Sequence, residues 1–453
     1  MGRDRYVDFL RAWAIGLVVL GHWLITGLER HSDGGIGAPE LLATVPWTQW
    51  LTLGFQVMPL FFLAGGYAAG GSWVRARDAG GTVGGWVGQR ALRLLLPTAA
   101  YSGLVLLAVG VCGAVGVDRD TLALVGWAMA MQFWFLPVYL VITALTPVLY
   151  GLHRRWGLRV PLGMGLVGGG VGMLGVVGDS SVAGVLGPVN YLLVWGVAYQ
   201  LGFCWRDGLL SRGRVVPAGM AVGGVVVFAG LVGPGPFPVS LILVTGQELS
   251  NTDPPSAAML AWAVAQVGVA LLLAPGVRRL LAGVRVWAAV RAVGGGSMAL
   301  YLWHMLPVLV VAAAFYLTGL APQPGYGSLG WWVLRVPWLV VLGLTLAGVV
   351  RALRPLERGL ASLSARLRPG PGVRWAWRMW PGLGLSVWAL AYFAGHGFAY
   401  GGTFPVWPSV ALGAGTVLVA LDRGAVGRGE GGGGSGGGSG SAPTAQRALE
   451  EAV

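Results

Sequence analysis

The chain has 453 residues, of which 55% are hydrophobic and only 10% charged, and its mean hydropathy is +0.71. Soluble domains carry about 25% charged residues, so this composition excludes a soluble globular protein and leaves a polytopic membrane protein. The net charge is +13 and every basic residue is an arginine; these arginines fall between apolar runs, in alternate loops, which excludes a nucleic-acid-binding surface and is the positive-inside pattern of a membrane protein.

A membrane span needs about 20 mainly apolar residues. In chain order the candidates are 8–28, 49–70, 93–114, 130–150, 160–178, 186–205, 215–233, 257–275, 297–318, 331–350, 382–400 and 404–421. The first is too long for a signal-peptide core and lacks a small-residue cleavage site, so it reads as an uncleaved span. The fifth contains MGLVGGGVGMLGVVG, whose small residues permit close helix packing. All arginines except Arg30, Arg119 and Arg335 fall on one side, which predicts cytoplasmic termini and a multi-pass protein of the plasma membrane. The longest loops on the other side, 29–48 and 234–256, carry Glu29, Asp33, Glu40, Glu248 and Asp253, and loops of that length are often functional.

The expected fold is an all-α integral membrane protein: a polytopic bundle with a ten-helix core over 1–350 and two C-terminal helices over 382–421. Between them, 351–381 reads as a basic cytoplasmic segment suited to an anionic leaflet. Residues 422–453 read as a flexible Gly/Ser-rich cytoplasmic tail. Cys112 and Cys204 lie far apart in apolar segments, so neither a disulfide framework nor a metal site is expected.

Arg11 and His22 carry the strongest chemical signal. Eleven helical positions return His22 to nearly the azimuth of Arg11, about 16 Å further along the axis. One helix face thus holds a cation near one membrane surface and an imidazole deep inside, where polar groups are expensive and usually functional. Asp8, three residues before Arg11, shares its face.

Five segments then resemble one family, the membrane-bound acyltransferase-3 family of acyl-CoA-dependent O-acyltransferases. Asp8, Arg11 and His22 match its first-helix pattern D-x-x-R-x10-H. PLFFLAGGY (59–67) is similar to its second-span motif, which usually ends FFxxSGY, with Gly65 in place of the serine. VGQRALRLLLP (87–97) resembles the paired-arginine motif with Arg90, Arg93 and Pro97, FWFL (133–136) the tryptophan motif, and SMALYLWH (297–304) the late Tyr-x-x-His element. The resemblance covers about residues 5–350.

The resemblance implies a membrane enzyme that moves an acyl group, acetyl by default, from cytoplasmic acyl-CoA to a hydroxyl. Candidate acceptors are a cell-surface glycan, a glycolipid or a secreted metabolite. His22 is the expected general base, with Arg11 beside it in the catalytic set; the packing alternative is a histidine bonded to a neighbouring helix. Arg11 suits phosphate or amide oxygens of the donor, or extends to headgroups. Arg90 and Arg93 are expected to hold acyl-CoA phosphates, or to serve as topology anchors. Trp134 is expected against the pantetheine arm, or at the membrane interface. Asp8, Tyr301 and His304 are the expected substrate-orienting residues; Tyr301 and His304 orient substrate or polarise the thioester carbonyl, or His304 is structural. Arg335 either touches the acceptor or snorkels outward; His31, His153 and His396 receive no role. Acyl-CoA is a co-substrate, and no tightly bound cofactor or metal is expected. Partners are the donor, a hydroxyl-bearing carbohydrate or metabolite, and the bilayer, without nucleic acid. Competing readings are a transporter or exporter and a catalytically silent membrane sensor.

Overall fold

The computed structural model describes residues 4–30, 36–177, 180–367 and 376–421. His31, Asp33, the tail 422–453 and part of the basic segment lie outside them. Asp4 opens α1 (Arg5–Ile25) by accepting the Tyr6 amide at 2.9 Å, one of the unsatisfied donors of a helix start. A two-residue ladder pairs β1 (Glu29–Arg30) with β2 (Ile36–Gly37). Short α2 (Leu41–Thr44) and α3 (Thr52–Phe55) flank a 3-10 turn and lead to α4 (Met58–Asp78). Then come α5 (Val83–Ala114), α6 (Arg119–Ala130), a 3-10 turn (Met131–Trp134), α7 (Phe135–Trp156), α8 (Arg159–Val177), α9 (Ser180–Arg206), α10 (Val215–Val232) and α11 (Ala257–Leu280). The chain continues through α12 (Val284–Gly295), α13 (Ser297–Trp303), α14 (Leu306–Val311), α15 (Leu329–Arg366), α16 (Met379–His396) and α17 (Val406–Leu421).

This is an all-α polytopic membrane protein. Among the described residues, 8 helical stretches are long and apolar enough to cross a membrane, and up to 9 if the bent pair around His304 is one span. These coincide with the predicted spans except 186–205, 382–400 and 404–421. Helices occupy those three places, but α9 interrupts its apolar run with Asn190 and Gln200, and α17 has only 16 residues. Two boundaries differ from the sequence reading. The third span begins at Val83, so Arg90 and Arg93 lie within α5 rather than at its mouth. Helix α15 runs for 38 residues, about 57 Å at the helical rise, so residues 351–366 of the basic segment are helical and continuous with the span.

Helix α1 is central, packing against α4, α11, α12, α13 and α15. Helices α4 and α9 approach closely: a Cβ at Gly66 would meet the Tyr199 carbonyl, and one at Gly202 the Leu63 carbonyl. Glycine is required where membrane helices come this near. The last two helices are part of the packed body, since α16 lies against α5, α6 and α7 and α17 against α5. Beyond α16, the Phe398 amide donates to Gly126 O at 3.1 Å, and its ring sits 5.5 Å from Phe133.

Candidate active site

The predicted ninth span is broken. Helices α13 and α14 meet at a 42° bend, and Pro307 stands in the first turn of α14. Proline has no amide to donate and clashes with the preceding turn, which ends a helix before it. Carbonyls beside the break find side-chain partners: His304 O accepts the Trp23 indole at 2.7 Å, and Leu302 O accepts the Gln132 amide at 3.3 Å. Irregular backbone is tolerated at membrane depth where protein buries it in this way. His304 occupies the break and is fully buried.

From α1, half-buried His22 brings Nδ1 to 2.7 Å from His304 Nε2. The ring centroids are 5.0 Å apart. His304 Nδ1 lies 2.9 Å from the Tyr301 carbonyl oxygen. A carbonyl only accepts, so a neutral His304 carries its proton on Nδ1 and offers a lone pair at Nε2. His22 must then donate from Nδ1, which leaves its Nε2 as an open acceptor. The arrangement is a directed chain, from one peptide carbonyl through two rings to a single unprotonated nitrogen.

Tyr301 contributes to this chain through its backbone. Its hydroxyl is engaged elsewhere, donating to Gln132 O at 2.7 Å. Gln132 also reaches Met129 O at 3.1 Å, tying the 3-10 turn to the broken span. Helix α15 holds the end of α1: the Trp338 indole donates to Trp23 O at 3.1 Å and Arg335 to Thr26 O at 2.8 Å. Trp23, Gln132 and Trp338 were not singled out in the sequence. The available signal was Gln132, an amide inside an apolar run.

The predicted arginines gather away from the histidines. Arg11 is half-buried on α1, about 16 Å down the axis from His22, and half-buried Asp8 sits one turn before it. Arg90 donates to Ser72 Oγ at 2.6 Å and Ala68 O at 3.3 Å, and lies 5.0 Å over the Trp86 ring. Arg11, Arg93, Tyr139 and Tyr199 fall within its electrostatic range. Arg93 itself is exposed. Trp134 packs 5.7 Å from Trp195, which stacks on Phe62. Gly65 faces Tyr139 so closely that a Cβ would stand 2.9 Å from that phenol, so the tyrosine fills the space where a serine side chain would stand.

A sequence model of the acyltransferase domain matches residues 4–352. The chain belongs to the acyltransferase-3 family. The match runs from the cap of α1 into α15 and takes in both histidines and the three arginines. No curated protein and no solved structure matches the chain. As a member of the acyltransferase-3 family it is a membrane acyltransferase. A second buried histidine of this acyltransferase, His153, stands apart with Cys204 and Asp207.

Proposed function

We propose that this protein transfers an acyl group, acetyl by default, from acyl-CoA to a hydroxyl of a cell-surface glycan, glycolipid or secreted metabolite, with His22 as general base. The observation that supports the reading is the contact of His22 Nδ1 with His304 Nε2, backed by the Tyr301 carbonyl, which among the described residues leaves His22 Nε2 without a protein partner. The acceptor O–H gives its proton to that nitrogen as its oxygen attacks the thioester carbonyl. The tetrahedral adduct collapses, the carbon–sulfur bond breaks, and His22 returns the proton to the departing CoA thiolate. The products are the ester and free CoA. His304 fixes the tautomer and spreads the charge of the imidazolium, as the orienting partner in a triad does.

The donor approaches from the arginine-rich end, which the loop charges assign to the cytoplasm of a plasma-membrane protein with both termini inside. Exposed Arg93 and half-buried Arg11, which have no ion-pair partner among the described residues, meet the phosphates. Arg90, already bonded to Ser72, holds the α4–α5 corner and offers its remaining donors. Trp134 lines the aromatic wall beside the acyl-pantetheine path. The domain division follows: a catalytic core through α15, and a C-terminal helix pair that buttresses α5 and α7.

Binding of acetyl-CoA to purified protein, wild type beside Arg11→Ala, tests the donor assignment. Saturable binding weakened in the variant is expected, with CoA released on addition of a hydroxyl acceptor. A folded wild type that neither binds nor cleaves acyl-CoA would overturn the reading.

A further inference from the structure

An arginine near the end of a span ordinarily extends to the headgroups. Arg335 does not: it is 7% exposed. Its guanidinium lies 3.7 Å over the Trp331 ring and 5.3 Å from the Trp338 ring, and one arm donates to Thr26 O at 2.8 Å. Thr26 is the C-cap residue of α1, so this contact lies at the negative end of the helix dipole. Among the described residues no carboxylate stands within ion-pair distance of Arg335. Tyr316 and Tyr326 are its titratable neighbours. Burial pushes the Tyr326 phenol up to about 12, so this neighbour is neutral and supplies no counter-charge. Glu40, which lies in the range of Tyr326, instead accepts the Thr245 amide at 3.0 Å.

A guanidinium has five N–H donors, and a desolvated charge without a counter-ion is costly. Its placement supplies a reason to retain it. Thr26 is four residues beyond His22, about 6 Å further along α1 and close to the same azimuth. Arg335 therefore meets the histidine face from the end opposite Arg11. A small apolar cleft, lined in part by Gly21, Leu24 and Ile25 of α1 and Trp332 of α15, lies along the same two helices.

We propose that Arg335 is the anion-binding residue of the acceptor site, and that the acceptor carries a carboxylate or phosphate near its reacting hydroxyl. The inference rests on the acyl-transfer reading and names the acceptor class for it. The fork grips two oxygens of the anion, while the two tryptophans hold its plane and Thr26 O anchors one arm. An acidic sugar and the phosphate of a membrane lipid offer the same chemistry.

The test uses full-length protein in nanodiscs with saturating acetyl-CoA, reading CoA release with two matched pairs of probes. One pair is methyl glucuronide against methyl glucoside; the other is phosphatidylinositol against monoglucosyl diacylglycerol. Wild type is expected to favour the anionic member of one pair by about tenfold or more, and that pair identifies the source. Arg335→Gln brings the ratio near one with acetyl-CoA binding unchanged; Arg335→Lys, which keeps the charge without the fork, falls between. If acetyl-CoA binds but no probe is acylated, thermal stabilisation by the same four probes reads the preference. Equal response to neutral and anionic members in wild type, or an equal loss for both in Arg335→Gln, overturns the inference. Failure to bind acetyl-CoA at all overturns the acyl-transfer reading instead.

Discussion

His22–His304 and His153–Cys204 are both buried histidine clusters, yet they are wired in opposite ways. His153 Nε2 lies 3.1 Å from Asp207 Oδ2 and its Nδ1 3.7 Å from Cys204 Sγ. Asp207 also accepts from Tyr150 at 3.1 Å and Arg206 at 3.3 Å. Both ring nitrogens of His153 are occupied, one of them by a carboxylate, and the thiol is fully buried. That network is closed and ties α7 to α9. Among the described residues the His22–His304 chain has no carboxylate partner and one open end. Residue types alone favour the wrong cluster, since Cys–His–Asp is the familiar nucleophilic set. On the proposed reading, the nitrogen without a partner, rather than the list of residues, is what separates chemistry from packing.

The comparison breaks most sharply at His22. His22→Ala should lower acyl transfer by roughly 10²–10⁴-fold, the span of general-base catalysis, with acetyl-CoA binding retained; CoA release in single-turnover assays reads it. His304→Leu removes the acceptor for His22 Nδ1 and should cost on the order of 10²-fold through misorientation. His304→Gln should recover part of that loss, because its amide donates to Tyr301 O while its carbonyl accepts from His22. Arg93→Ala should raise the KM for acyl-CoA by about tenfold, one charge-assisted contact, and leave kcat in place. The smallest catalytic effect belongs to the other cluster. His153→Ala should change kcat by no more than about twofold while lowering stability by roughly 1–3 kcal/mol for the lost buried hydrogen bonds, measured by thermal unfolding in detergent. A large kcat effect there would erase the distinction.

Much of the fold was legible because a bilayer demands long apolar helices, and each predicted span has a helix at its place. Arg11 and His22 were legible as one stripe because helical period alone relates them. What sequence withheld was adjacency between distant segments. Nothing in WLIT announces that Trp23 caps a carbonyl of the broken span or that Thr26 receives Arg335. The stretch 297–318 reads as one unbroken span, and only the structure shows the break before Pro307 and His304 standing there facing His22. For Arg335 the sequence left contact with the acceptor and snorkelling to the surface both open; two tryptophans on its own helix cover it, so it does not snorkel. The unusual Gly65 made sense only once Tyr139 was seen against it.

The central claim, an unprotonated His22 Nε2 whose tautomer is set by His304, is tested most directly by nitrogen NMR. Protein labelled with ¹⁵N-histidine would be compared with the His22→Ala variant to assign the ring. The account predicts a His22 signal with a protonated Nδ1 and a pyridine-type Nε2, and loss of that tautomer preference in His304→Leu. A His22 ring protonated at Nε2 in the wild type would contradict it.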